Sequence, residues 1–200
     1  MSSASIKSLE ELGAIHQYLH FIEPEYVENT LQQYQQLWMA NPSPKNDVLK
    51  KYLEEAILPA IAYYRVLKEN GEDQHLAIEK VDSCFTALNR KRQRLLRFLG
   101  SLPFYYSILR ARMTAAMQAF PPEGWRTEWI QNDRQAVRIN LHTCFFFETL
   151  KANHCPELIL VFCKVDDTLY ENMSKQVLWK RTQTIGSGAA YCDFCFMKKT

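Results

Sequence analysis

The sequence has no apolar run approaching the roughly 18 residues that a membrane-spanning helix requires, so no spanning segment is expected. Its first residues, Met1-Ser2-Ser3-Ala4-Ser5-Ile6-Lys7, lack the apolar core of a signal peptide, and the expected location is the cytoplasm. Neither sign of charge is in excess. The 24 Lys and Arg against 22 Asp and Glu leave a net +2, which supplies no global field toward nucleic acid or an anionic membrane. Repeats and low-complexity tracts are absent. Only one Cys-x-x-Cys pair occurs, Cys192 and Cys195. A zinc knuckle would want a second pair, and a redox pair would want a helix after the first cysteine, where the pattern is a strand. Six cysteines in a cytosolic chain argue against a disulfide framework. Each is read first as a small buried hydrophobe.

What is present is an ordinary globular balance. Two hundred residues with 47% hydrophobic and 23% charged side chains are enough to bury a real core. The periodicity predicts helices over Ser8–Leu19, Tyr26–Met39, a stretch after Asn46-Asp47 that Pro59 should kink or end, Gln74–Leu99, and Phe104–Ala119. Asn46 or Asp47 and then Asp73 are the expected N-caps. The period then changes. Trp125–Ile130 and Gln135–His142 alternate as strands, with Val137, Ile139 and Leu141 on one face and Asn132-Asp133 at the turn. Cys144–Asn153 and Pro156–Met173 read as helices, and Val177–Ile185 and Tyr191–Met197 as strands joined by Gly186-Ser187-Gly188. The expected class is α+β: N-terminal helices packed with a small, mainly antiparallel C-terminal sheet and two helices. Residues 1–120 form the helical region and residues 121–200 the α+β catalytic region, together one compact domain.

The chemistry-bearing residues gather in the last quarter. Cys144 follows a strand, with Thr143 as a possible N-cap, so its thiol is expected in the first turn of a helix. There the dipole should hold it below the free value of about 8.5. Glu148 lies one turn on. Cys163 and Asp166 are one turn apart on the next helix, beside a core stripe of Leu158, Phe162, Val165 and Leu169, and a carboxylate next to a thiol suits proton transfer. Arg181 stands on an otherwise apolar strand face and needs an anionic partner: Asp193, Asp166, Glu157 or a substrate carboxylate. Cys192 and Cys195 point to opposite strand faces, Cys192 with Phe194 and Phe196, Asp193 with Tyr191 and Cys195. His154 is read as a helix C-cap, and the run Arg90-Lys91-Arg92-Gln93-Arg94 with Arg97 as a solvated helix face rather than a nucleic-acid surface.

These residues resemble the L-2-amino-thiazoline-4-carboxylic acid hydrolases. The resemblance rests on Leu58-Pro59-Ala60, Leu67-Lys68-Glu69-Asn70-Gly71, Leu102-Pro103-Phe104, Gly124-Trp125, His142-Thr143-Cys144, Cys155-Pro156-Glu157-Leu158, Phe162-Cys163 with Asp166, Arg181-Thr182 with Thr184-Ile185-Gly186, and Cys192-Asp193-Phe194. It covers roughly residues 55–197. It implies addition of water to C2 of a cyclic isothiourea, opening the ring to N-carbamoyl-L-cysteine. Cys195 stands where an arginine is usual in that family. The candidate site is therefore Cys144 or Cys192 as nucleophile, Cys163 beside it, Asp166 or Glu157 as proton handler, Arg181 with Thr182 on the substrate carboxylate, and Asp193 as orienter. No cofactor and no metal are expected. Neither nucleic acid nor a membrane is an expected partner. The expected partner is a small-molecule substrate, with a homodimer possible through an apolar patch of Tyr63, Tyr64, Phe104, Tyr105 and Tyr106. Two other readings stay open: a ligand-binding or regulatory module without turnover, and a zinc protein ligated by Cys144, Cys163 and Cys192 with His154.

Overall fold

A computed structural model describes residues 13–199. The chain forms two compact units, one running to Lys45 and resuming over Lys50–Leu88, the other made of Asn46–Leu49 and Asn89 onward. The start of the Ser8–Leu19 pattern lies outside the described residues. Its remainder is α1, Gly13–Leu19. Pro24 opens a 3-10 turn that leads into α2, Val27–Ala40. Asn46 Oδ1 accepts hydrogen bonds from Val48 and Leu49 N at 2.9 and 3.3 Å and so caps α3, Asp47–Tyr52. Pro59 does not break the chain direction outright. A single π turn, Leu53–Ile57, precedes it, and Leu58 N bonds to Leu53 O. The widened turn removes the need for the amide that proline lacks, and Pro59 falls in the first turn of α4, Leu58–Glu69.

α4 is the core helix of the first unit. Leu58, Ala60, Ile61, Ala62, Tyr63, Val66 and Leu67 are all buried, on every side of the helix. Asp73 Oδ1 accepts from Leu76 N at 2.9 Å at the start of α5, Gln74–Gly100. Of the five aromatics expected to form an exposed patch, Tyr63, Tyr64, Tyr105 and Tyr106 are buried and only Phe104, 79% exposed, stands free. The patch on which the homodimer expectation rested is therefore absent, because the tyrosines are core residues of their units.

The second unit carries the sheet. α6, Tyr105–Ala119, is tied to the hairpin β1 (Thr127–Asn132) and β2 (Ala136–Leu141) by side-chain hydrogen bonds. Tyr106 Oη donates to Asp133 O at 3.0 Å, Arg110 Nε to Asn132 Oδ1 at 2.8 Å, and Asn132 Nδ2 to Thr114 Oγ1 at 3.0 Å. Asp133 Oδ1 accepts from Gln135 and Ala136 N, which fixes the turn. α7 is Phe145–Ala152. The expected helix Pro156–Met173 begins with a 3-10 turn, Pro156–Leu158, and its regular part is α8, Ile159–Tyr170. β3 (Val177–Lys180) and β4 (Cys192–Lys198) complete an antiparallel sheet in the order β1-β2-β4-β3. The strand expected over Val177–Ile185 thus stops at Lys180. Beyond it, the carboxylate of Asp193 takes the amides of Thr182 and Gln183 at 2.9 and 2.8 Å, so those amides leave the ladder, and Ile185–Ser187 becomes a 3-10 turn.

One sheet face is apolar. Val137 pairs with Phe196, Ile139 with Phe194 and Leu141 with Cys192, and of these Val137, Ile139, Leu141, Cys192 and Phe196 are buried. α5 reaches α8 and the segment after it. Gln93 Nε2 donates to Thr168 O at 2.8 Å, and Ser174 Oγ to Gly100 O at 2.7 Å. A Cβ on Gly100 would stand 1.9 Å from Met173 O, so only glycine allows this approach.

Candidate active site

Three thiols from three elements meet on the apolar side of the sheet. Cys144 comes from the junction of β2 and α7, Cys163 from α8 and Cys192 from the first residue of β4. Electrostatic coupling links Cys192 to both of the others, and Cys144 to Cys163. Cys144 is not inside the helix, as the sequence suggests, but is its N-cap residue in extended conformation (φ −137°, ψ 109°). Thr143 is occupied elsewhere, its Oγ1 accepting from Arg126 N at 2.7 Å. The expected depression of the Cys144 thiol is reversed. Burial pushes it up to about 12, against the weaker pull of the Phe147 and Phe146 amides. Aromatic rings cluster on the helix that it caps. Trp125 lies 6.0 Å from Phe145 and 6.1 Å from Phe146, and Phe146 lies 4.8 Å from Phe162 between ring centres. Desolvation outweighs the helix start.

Cys163 is also raised, to about 11, by burial; Arg181 and the Thr184 hydroxyl favour its thiolate and partly offset this. Cys192 is raised by burial too, and Ile185 N donates to its sulfur at 3.2 Å. The turn that supplies this amide is built for close approach. Thr184 and Ser187 form a reciprocal capping box. A Cβ on Gly186 would sit 2.9 Å from Ile159 Cγ1 and 3.2 Å from Cys163 Sγ.

Beside the thiols lies a charged group of three. Arg181, with a side chain only 3% exposed, donates from Nη1 to Asp166 Oδ2 at 3.3 Å and from Nη2 to Asp167 Oδ2 at 2.5 Å. Nη2 also donates to the carbonyl of Cys163 at 2.7 Å. The guanidinium packs over Trp179 and Phe194, 5.9 and 5.5 Å from the ring centres. Trp179 Nε1 donates to Asp167 Oδ1 at 3.1 Å and holds that carboxylate in place. Burial raises Asp166 to about 6; Arg181 opposes the rise and Asp167 adds to it. Its side chain keeps 36% of its surface open. Asp166 in turn acts electrostatically on both Cys163 and Cys192.

The structure therefore brings together Cys144, Cys163, Cys192, Asp166 and Arg181. Asp193 and Thr182 lie elsewhere. Strand alternation turns Asp193 and Cys195 to the outer sheet face. There they line a shallow depression of about 520 Å³ with Arg138, Lys180 and Thr182. Asp193 accepts from Thr182 Oγ1 at 2.6 Å as well as from the two amides. Burial would raise its carboxyl, but these hydrogen bonds outweigh it and hold the group low. Its role is to shape the turn toward Thr184. Glu157 sits half-buried in the 3-10 turn before α8. Glu148 is exposed and pairs with Lys151 at 3.5 Å. His154, at φ 59°, closes α7 in the left-handed conformation. Among the described residues no group of three or more His, Cys, Asp or Glu side chains is arranged to hold a metal ion. The zinc site of Cys144, Cys163, Cys192 and His154 is thus not formed. His154 lies at the far end of α7 from Cys144.

The sequence reading missed Asp167, Trp179 and Gly186. A signal for the first two existed. Asp166-Asp167 are adjacent on a helix, and Trp179-x-Arg181 presents a cation two residues from an indole donor.

A sequence profile described as L-2-amino-thiazoline-4-carboxylic acid hydrolase matches residues 50–196, which contain every residue of this site. No curated protein sequence and no solved structure matches the chain. No helix among the described residues is long and apolar enough to cross a membrane.

Proposed function

The chain belongs to the L-2-amino-thiazoline-4-carboxylic acid hydrolase family, and we propose that it opens a small cyclic isothiourea or amidine through a cysteine-centred site. The observation that carries this reading is Asp166: a partly exposed side chain whose carboxyl is raised to about 6 and bonded to Arg181, within electrostatic reach of two thiols. None of the three thiols is a resting thiolate at neutral pH, so a nucleophile here needs a base. A carboxylate tuned to about 6 is mostly ionised at pH 7 and takes a proton readily.

Cys192 is the favoured nucleophile, because the Ile185 amide points at its sulfur and stabilises the charge that forms there. Asp166 takes the thiol proton, and the sulfur attacks C2 of the ring. The C2–S bond breaks, and the ring sulfur leaves with the electron pair and recovers the proton. The product of this half is an amidino-thioether on Cys192. Water then adds to the same carbon and gives its proton to Asp166. The Cys192–C bond breaks and releases the carbamoyl product with a free thiol. Arg181 is committed to Asp166, Asp167 and the Cys163 carbonyl, so it acts here as the holder of Asp166 rather than as a clamp on the substrate carboxylate.

The test is rapid quenching of the protein with L-2-amino-thiazoline-4-carboxylic acid, followed by intact-mass and peptide analysis. The expected result is N-carbamoyl-cysteine in solution and one substrate mass on the Cys192 peptide. Product without any adduct would move the reaction to direct attack by water. No product from folded, reduced protein would overturn the hydrolase reading.

A further inference from the structure

We infer that the solvent face of the C-terminal half of α5 is a docking surface for an anionic phospholipid membrane. From Asn89 to Pro122 the sequence holds seven Lys and Arg and no Asp or Glu, although the whole chain is nearly neutral. Helical geometry sorts these residues. Gln93 and Gly100 share the face that packs on Thr168 and Met173. Leu95 and Phe98 lie on the opposite face, at the centre of the side turned to solvent, and are 56% and 65% exposed. Lys91 and Arg94 share that side with them, while Arg90 and Arg97 lie nearer the packed side, all four exposed. Arg92 is set aside because its charge acts on Asp166. Just beyond the helix, Phe104 is 79% exposed and held at φ 64°, a left-handed conformation uncommon for a residue with a bulky side chain.

Cations around a pair of large apolar side chains match one surface in particular. Lipid headgroups attract the cations, and the acyl boundary receives Leu95 and Phe98. A nucleic-acid backbone satisfies the cations alone and gives a leucine nothing. With no membrane-crossing helix among the described residues, the attachment is peripheral and reversible.

The test is co-sedimentation of the full chain with mixed phosphatidylserine–phosphatidylcholine vesicles, and with phosphatidylcholine alone. Binding is expected only to the anionic vesicles and is released by high salt. The pair Leu95→Gln/Phe98→Gln and the pair Lys91→Gln/Arg94→Gln should each weaken it by about tenfold or more. All four side chains are exposed, so melting temperature should hardly move and reports whether each variant folds. Absence of binding to anionic vesicles overturns the proposal. So does binding that the Leu95/Phe98 pair leaves unchanged, because it is then generic charge attraction. Equal competition by duplex DNA reassigns the face to nucleic acid and overturns it as well.

Discussion

Arg181 holds Asp166 by a single hydrogen bond at 3.3 Å, while its shorter bond, 2.5 Å, goes to Asp167. The two carboxylates therefore differ in their bonding although they are adjacent in sequence. Asp167 neutralises the buried guanidinium, and Asp166 keeps a carboxyl that titrates at about 6.

The first prediction concerns pH. The proposed base must be ionised, so kcat/KM should fall as pH drops through about 6. Asp167 raises the Asp166 pKa and Arg181 lowers it. Asp167→Asn should therefore move the acidic limb below 6, and Arg181→Gln should move it above. Asp166→Asn should abolish the limb and reduce the rate by roughly 10²–10⁴-fold. Limbs that move together in both variants would contradict the assignment.

Linkage gives a second consequence at the same residue. A carboxyl whose folded pKa is raised binds its proton more tightly in the folded state. Asp166 should thus favour folding below its unfolded pKa of about 3.9 and lose that contribution as pH rises through about 6. In Asp166→Asn, denaturant titrations between pH 4 and 6.5 should show a flatter dependence than in the parent protein. An unchanged slope would place the titration elsewhere.

The third prediction tests the packing of the turn on α8. Gly186→Ala would place a methyl 2.9 Å from Ile159 Cγ1 and 3.2 Å from Cys163 Sγ. Overpacking of this kind costs about 1–3 kcal/mol. The melting temperature should fall, and turnover should fall further than in Gly71→Ala. That control strains a positive φ (88°) but meets no atom within 4 Å. Equal turnover losses in the two variants would separate the turn from the site.

Thiol chemistry supplies the fourth. With Cys144 and Cys163 raised to about 12 and 11 by burial, iodoacetamide should label both far more slowly at pH 7.5 than a free cysteine, whose pKa is about 8.5. Peptide mapping over time reads this directly. Fast labelling of Cys144 at neutral pH would restore the helix-dipole thiolate that the sequence suggests.

These contrasts mark how much was legible in the sequence. The alternation of Val137, Ile139 and Leu141 gave the buried sheet face, and the one-turn spacing of Cys163 and Asp166 put a thiol and a carboxylate together on α8, because both depend only on local periodicity. The state of Cys144 was not legible. A helix start lowers a thiol's pKa and burial raises it, and burial depends on tertiary packing that local spacing does not show. The end of β3 at Lys180 was hidden for a similar reason, since Asp193 on another strand withdraws the Thr182 and Gln183 amides. The same alternation that set Cys192 inward placed Asp193 on the outer face, where it holds Thr182 away from the thiols. Two faces remained open in the sequence, and the packing of α8 on one of them, through Tyr170 against Phe196 and Trp179, decided which faces the thiols.

The measurement that tests the central claim most directly is turnover of L-2-amino-thiazoline-4-carboxylic acid by the parent protein and by Cys144→Ser, Cys163→Ser and Cys192→Ser, each checked by melting temperature. The account predicts N-carbamoyl-cysteine from the parent protein, and loss of nearly all turnover in a folded Cys192→Ser. Full activity in all three serine variants, or no product from folded protein with reduced thiols, would contradict it.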